Sequence, residues 1–447
     1  RGVHGRPLRR HVPGTPGRGA FDRRAGHPAG DVGRDDRRVQ LGQGRRVAAA
    51  WLRAAGLSGD YRNYYYFLQS VGLRWHELGR RVLVLVLDHI LTDTSRVLLA
   101  IDDSPTKRYG PKVQGAGIHH DPTPGPVGHP FCYGHIWVTL AVIVRHPAWG
   151  TIGLPIWSWL YVRKCDLAKI PAKYGWTFQT KLEQAADLVL RAAETLQFLG
   201  RKQLWVVTDG AYAKRPFVRA ALELDVTLVG RLRKDAALFD LPRREKQPRR
   251  GRKRKYGKKR LSLQKRAAHR QGWIKVPCNV YGQVVTKRVK TFVATHRTFG
   301  GAIRVVIVQE PSGPQLFYCS DVNASVAEII EAFADRSAIE QVFHDVKEVW
   351  GSGQQQVRNV WSNVACWHLN LWLHTLVELW CWHKPAAELT DRTDSPWDDA
   401  ERRPSHADRR KALQGACLAD EFSHALRGHP LPPKIRDALK RLLRIAV

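Results

Sequence analysis

Two apolar runs that each lead into aspartate constrain the fold of this chain more than any other feature. "RVLLAIDDS" covers residues 96–104 and "KQLWVVTDGAY" covers residues 202–212. Short continuous apolar runs are typical of strands that are buried on both faces, as in sheets covered by helices. The sequence therefore predicts an α/β fold in which acidic side chains lie at the tips of two buried strands.

Other segments fill in this fold. Helical spacing is present within 46–95 and over 180–199, and "HIWVTLAVIVRH" and "TIGLPIWSWLYV" predict a hairpin over 135–162. Ser325, with Glu328 three residues later, predicts the start of a helix that carries Glu340. An aromatic helix is predicted over 357–383, where we expect the tryptophans to form core or interface surface rather than to stack on bases.

The acids predict a metal centre. Strand tips and a packed helix can meet at one edge of a sheet, which would bring Asp102 or Asp103 together with Asp209 and Glu340. Carboxylates are ligands that suit Mg²⁺ or Mn²⁺. Two such ions, roughly 4 Å apart, support in-line attack on a phosphodiester.

The helix that carries Glu340 has two stripes. Its apolar stripe would fix the helix on the sheet and is formed by Ile339, Val342, Phe343, Val346 and Trp350. Its polar stripe is formed by Arg336, Glu340, His344 and Lys347. The polar stripe would aim Glu340 at the strand tips, or it would be an ordinary solvent-facing row in which an Arg336–Glu340 pair contributes about 0.2–0.5 kcal/mol.

The order of these parts resembles a known family. "LLAIDDS", "VVTDGAY" and "ADRSAIEQVFHDVKE", with a strand-rich insertion of about 130 residues before the glutamate, resemble bacterial insertion-sequence transposases with an RNase H-like DDE core. Within that family the chain is similar to the cut-and-paste subgroup that has a Tyr-Arg-Glu-Lys signature. The resemblance spans about residues 60–383.

The resemblance implies a transposase that cleaves transposon ends and joins them to target DNA. It implies Asp103, Asp209 and Glu340 as the catalytic ligands of two Mg²⁺ or Mn²⁺ ions, and Arg336 and Lys347 as phosphate contacts. The family's hydrophobic-acid-Asp-Thr/Ser pattern favours Asp103, whereas Asp102 stays open because successive strand residues face opposite sides. Phe333 replaces the signature tyrosine, so a hydroxyl contact to the DNA terminus is lost.

The expected fold class is an α/β, RNase H-like mixed sheet flanked by helices and interrupted by a β-rich insertion, with a helical N-terminal region and disordered basic termini. We divide the chain into a disordered or aberrant N-terminus, a helical region, the first part of the catalytic core, a basic β-rich insertion, the C-terminal helices of the core and a basic tail: 1–45, 46–95, 96–240, 241–324, 325–383 and 384–447.

The charge of the chain indicates a polyanionic partner. Lys and Arg number 73 against 40 Asp and Glu, which gives a formal charge of +33. Such an excess favours nucleic acid. A basic run at 243–266 predicts non-specific phosphate contact rather than simple solvation, through Arg252, Lys253, Arg254, Lys255, Lys258 and Lys259. Trp273, beside it, would stack on a flipped base or, as we favour, pack in the fold.

We expect double-stranded DNA, both terminal inverted repeats and target, as the partner, and a homodimer in the synaptic complex. The seven cysteines form no CxxC pair and support neither a zinc site nor disulfides, which favours a reducing, cytoplasmic location at the bacterial nucleoid. Two alternatives remain: a catalytically inactive, transposase-derived DNA-binding protein, and an RNase H-like DNA nuclease.

Overall fold

The computed structural model describes residues 46–54, 61–92, 96–120, 130–200, 203–242, 254–392 and 397–425. Within them the chain forms a large mixed sheet flanked by helices, which confirms the predicted α/β class and is consistent with an RNase H-like DDE fold. The N-terminal segment 1–45, predicted to be disordered, lies outside the described residues. No helix within these ranges is long and apolar enough to cross a membrane.

The strands are β1 Arg96–Lys107, β2 Gly117–His120, β3 Phe131–His146, β4 Gly150–Tyr161, β5 Gln203–Thr208, β6 Thr227–Arg231, β7 Leu238–Phe239, β8 Arg260–Leu261, β9 Ile274–Val280, β10 Gln283–His296, β11 Gly301–Val308 and β12 Gln315–Cys319. The helices are α1 Ala48–Ala54, α2 Tyr61–Leu73, α3 Trp75–Ile90, α4 Lys181–Phe198, α5 Arg215–Glu223, α6 Leu263–Ala268, α7 Val326–Asp335, α8 Ser337–Glu348, α9 Val360–Cys381, α10 Ala386–Leu389 and α11 His406–Ala425.

The centre of the sheet has the order β4-β3-β1-β5-β6. β3 and β4 form the predicted antiparallel hairpin, whereas β1, β5 and β6 run parallel to one another. The sequence predicted that the acids of β1 lie at the tip of the strand. They do not, because β1 continues to pair with β3 as far as Lys107 and Gly134. They lie where the parallel ladder to β5 ends, after the pair Ile101–Thr208.

The strands of the predicted basic insertion continue this sheet, together with β7, which comes just before the predicted start of the insertion at 241. β12 pairs with β6, and β11, β10, β7 and β8 follow in order outwards, with β9 paired to β10. The later strands therefore cover the β6 edge of the parallel core. Along the chain, they also connect β6 to the helices α7 and α8.

The predicted helix start at Ser325 is confirmed. Ser325 and Glu328 form a reciprocal capping box, which satisfies two backbone N–H groups of the first turn. One predicted helix is, however, two: α7 ends and α8 begins at Arg336. The predicted apolar stripe of α8 is buried, since Ile339, Val342 and Val346 are at most 1% exposed.

The C-terminal segment is more ordered than predicted. A disordered tail was expected over 384–447, but α10 and α11 fold onto the protein, and 426–447 lies outside the described residues. Burial explains the order, because Leu389, His406 and Arg409 are each less than 10% exposed against the core. On α9, Trp367 and Trp372 are buried, which confirms their predicted role in the core.

Candidate active site at the end of the parallel ladder

Asp102 and Asp103 point in different directions from β1. The Asp102 carboxylate accepts a hydrogen bond from Arg336 Nη1 at 2.6 Å. The Asp103 carboxylate accepts one from Lys181 Nζ at 2.6 Å and one from the Tyr212 hydroxyl at 2.9 Å. Because successive side chains of a strand face opposite sides, Asp102 contacts Arg336 at the start of the helix that carries Glu340, and Asp103 contacts Lys181 on α4.

Burial raises the pKa of the Asp102 carboxyl to about 6, against the opposing attraction of Arg336. A carboxyl in this range changes its charge in response to a nearby cation. The Asp103 backbone N–H donates to Asp102 Oδ1 at 2.8 Å, so both oxygens of Asp102 already have donors. Asp102 is therefore an acid whose ionised form depends on positive charge at this edge of the sheet.

Asp209 directly follows β5. β1 and β5 are in register up to Ile101 and Thr208, and Asp102 and Asp209 are the next residues along the two chains. Tyr212, three residues later, lies among the acids: burial and the neighbouring carboxylates of Asp103, Asp102 and Asp209 raise the pKa of its phenol well above the usual value. The phenol is therefore protonated and donates to Asp103.

Arg336 connects the strand to the helix. Its guanidinium donates to Asp102 through Nη1 and to Glu340 through Nη2, each at 2.6 Å. The Arg336 side chain is only 13% exposed, whereas that of Glu340 is 59% exposed. The Arg336–Glu340 pair that was expected if the polar stripe simply faced solvent does form. The same guanidinium, however, also binds Asp102 on β1.

Whether these residues could hold divalent cations depends on how close together their carboxylates lie. A planar cation already lies between Asp102 and Glu340, so the two carboxylates are close enough to share positive charge. In the described part of the chain, the predicted ligands do not form a group whose ligand atoms all lie within 4.8 Å of one another, whereas Asp345, His374 and His406 do. The carboxylates at this edge are donors of the kind that hard cations prefer, but here Arg336 joins Asp102 to Glu340.

The other predicted contact residues lie on the protein surface or outside the described residues. Lys347 is partly exposed on α8, seven residues after Glu340. In the basic run, Arg254, Lys255, Lys258 and Lys259 are exposed, and Arg252 and Lys253 lie outside the described residues. Trp273 is half-buried, with Lys290 Nζ 4.7 Å from its ring centroid, which agrees with packing rather than an open stacking surface.

Phe333, which stands in place of the expected tyrosine, packs within the fold. Its ring lies 4.8 Å from that of Phe317, and the guanidinium carbons of Arg231 and Arg336 lie 5.8 and 5.6 Å from its centroid. The ring therefore helps to hold Arg336, the residue that bridges the acids. A hydroxyl is not needed for this contact.

Sequence reasoning missed Lys181 and Tyr212. Both side chains donate a hydrogen bond to the Asp103 carboxylate. The only sequence signal for them is their position: Lys181 is the first residue of α4, after the cap residue Thr180, and Tyr212 is the last residue of the turn that follows Asp209. It also missed the grouping of Asp345 with His374 and His406, whose positions on three different helices give no local motif.

Comparison with known proteins identifies a family for this chain. No curated protein matches the chain. The family model described as "DDE superfamily endonuclease" matches residues 41–293, more than half of the 447 residues. The match includes Asp102, Asp103 and Asp209 and ends before Glu340. Members of this family are nuclease-type enzymes that typically use divalent metals. The chain belongs to the DDE superfamily endonucleases.

Proposed function

We propose that this protein is a DNA transposase of the bacterial insertion-sequence type, which cleaves the ends of its element and joins them to target DNA by cut-and-paste transposition. The observation that carries the proposal is the double contact of Arg336 with Asp102 and Glu340, which joins the strand acid to the helix acid. Family membership gives the reaction class.

We assign the metal ligands to Asp102, Asp209 and Glu340. Asp102 replaces Asp103 in this assignment because Arg336 joins Asp102 to Glu340, whereas Asp103 is bound by Lys181 and Tyr212. When bound, two Mg²⁺ or Mn²⁺ ions would activate the attacking oxygen and stabilise the leaving oxygen. Arg336 would release its carboxylates and neutralise a phosphate of the DNA instead, as its bidentate guanidinium suits.

The remaining basic residues would hold the DNA. Lys347 on α8 and the exposed residues of the basic run would contact phosphates on either side of the cleaved bond, in a manner that weakens with salt. The formal charge of +33 supports double-stranded DNA as the partner. Joining of two ends would require at least a homodimer in the synaptic complex.

The test uses the full-length protein and a DNA fragment that carries the inverted repeats flanking its own gene. With Mg²⁺ we expect cleavage at the repeat ends and a joined product with a target plasmid. Glu340→Gln should remove both products, and EDTA should do the same. Cleavage without joined product would indicate an RNase H-like nuclease, and DNA binding without cleavage in Mg²⁺ or Mn²⁺ would indicate an inactive DNA-binding protein; either result rejects the proposal.

A further inference from the structure

A second group of chemically active side chains lies inside the helical layer. Asp345 is on α8, His374 and Glu378 are on α9, and His406 and Arg409 are on α11. All five residues are less than 10% exposed. Ionisable groups are buried together in this way only where partners or ligands compensate their desolvation.

The group has the geometry of a metal site. One ligand atom from each of Asp345, His374 and His406 lies within 4.8 Å of the others. The two imidazole rings are stacked, with centroids 3.9 Å apart and planes 16° apart.

Polar atoms in the group are left without partners. His374 Nδ1, Glu378 Oε2 and Arg409 Nη1 are buried and have no hydrogen-bond partner among the residues that the structure describes. Such atoms destabilise the folded protein when they stay unsatisfied. They border a cavity of about 440 Å³ that is also lined by Asp345 and His406. Space and unused donors and acceptors thus occur at the same place.

We propose that Asp345, His374 and His406 bind a divalent transition metal of the Zn²⁺ type. Two neutral imidazoles and a carboxylate are the donors that such ions prefer, and three protein ligands leave a fourth position for water from the cavity. Mg²⁺ is disfavoured, since it binds oxygen rather than imidazole. The group carries two carboxylates and one guanidinium, so a divalent cation offsets its buried negative charge.

Two neighbours define which nitrogen of His406 could bind the ion. His406 Nδ1 lies 2.6 Å from Glu378 Oε1, the carboxylate contact that orients a ligating histidine through its other nitrogen. His406 Nε2 accepts a hydrogen bond from Trp350 Nε1 at 2.8 Å, and an ion bound by this nitrogen would have to displace that donor. The ion would connect α8, α9 and α11, and so fix the helix that carries Glu340.

The test uses full-length protein that has been treated with EDTA and then titrated with Co²⁺ or Zn²⁺. The wild type should bind about one Co²⁺ with visible ligand-field bands, and Zn²⁺ should raise its Tm. Asp345→Asn and His374→Gln should weaken binding at least about 10-fold. The matched control His89→Gln, an exposed histidine on α3, should bind like the wild type.

Glu340→Gln separates this proposal from the proposed function: the Co²⁺ bands should persist in a variant that cannot cleave DNA. Absence of the bands in the wild type, or equal bands in Asp345→Asn and His374→Gln, would overturn the assignment. If the variants do not fold, X-ray absorption of the Zn²⁺-loaded wild type decides the question. Two imidazole ligands are expected, and fewer than two would reject the site.

Discussion

The acids at the end of the parallel ladder and the buried Asp345–His374–His406 group are built in opposite ways. The first is open, contains only carboxylates and is bridged by an arginine, and its Glu340 is 59% exposed. The second is buried and contains imidazoles, and its Glu378 is 1% exposed at the side chain. An exposed site of oxygen donors suits hard cations, whereas a buried site with imidazole donors suits a transition metal.

The largest expected difference between the two regions is in how much a substitution lowers the free energy of unfolding. Glu378→Gln should lower the free energy of unfolding by about 3–5 kcal/mol, because it breaks a fully buried pair and leaves Arg409 uncompensated. Glu340→Gln should change it by less than about 1 kcal/mol, because the Arg336–Glu340 pair is largely exposed on the Glu340 side. Urea denaturation followed by circular dichroism measures both. Equal losses in the two variants would remove the distinction between the regions.

The next effect separates the two adjacent aspartates. Asp102→Asn should reduce Mn²⁺-dependent nicking of supercoiled plasmid at least about 100-fold, roughly 2.7 kcal/mol of barrier. Asp103→Asn is the matched control and should retain activity within about 10-fold, because Asp103 is bound by Lys181 and Tyr212 and not by the Arg336 that joins Asp102 to Glu340. The reverse order of activities would return the ligand role to Asp103.

A smaller effect concerns acid stability. His368 Nδ1 lies 2.8 Å from the Val364 carbonyl and its Nε2 accepts the Ser158 N–H, and burial lowers its pKa to about 4. Between pH 6.5 and 4 the unfolded chain binds this proton more readily than the folded protein. Stability is therefore fully present above pH 6.5 and falls as pH decreases towards 4, by on the order of 1–3 kcal/mol.

Denaturant titrations at several pH values measure this loss. His368→Asn keeps a donor towards Val364 but lacks an imidazole, so its unfolding free energy should depend less on pH. The exposed control His89→Asn should keep the wild-type dependence. An unchanged dependence in His368→Asn would show that this histidine does not control acid stability.

The smallest expected effect lies on the surface. Exchange of both Lys258 and Lys259 for alanine should reduce the slope of log K against log salt by about 1.8 for non-specific duplex DNA, about 0.9 for each phosphate contact. Lys164→Ala, an exposed lysine outside the basic run, should leave the slope unchanged. Fluorescence anisotropy at several salt concentrations tests this. An unaltered slope in the double variant would mean that the run is only solvated.

Local patterns made much of the fold predictable. The apolar runs before Asp102 and Asp209 predicted buried strands, and the spacing of Ile339, Val342 and Val346 predicted the face of α8 that is buried. The length of β1 was not predictable, because its end depends on pairing with β3 rather than on its own residues. The order of the C-terminal helices depends likewise on distant contacts, such as that of His406 with Glu378.

The candidate site was predictable only in part. The sequence identified the strand and helix acids, but it could not decide between Asp102 and Asp103, since that choice depends on which helix covers which face of the sheet. The buried group left a weaker signal, the polar pair His374 and Glu378 four residues apart on an apolar helix. Its third member, His406, lies on another helix, so no spacing rule connects them.

The most direct measurement is a crystal structure of the full-length protein soaked with Mn²⁺, with anomalous scattering recorded at the manganese edge. We expect anomalous density bounded by Asp102, Asp209 and Glu340, with Arg336 turned away from the two carboxylates that it now bridges. Density at Asp103 instead, or Arg336 still bound to Asp102 and Glu340 at saturating Mn²⁺, would contradict it.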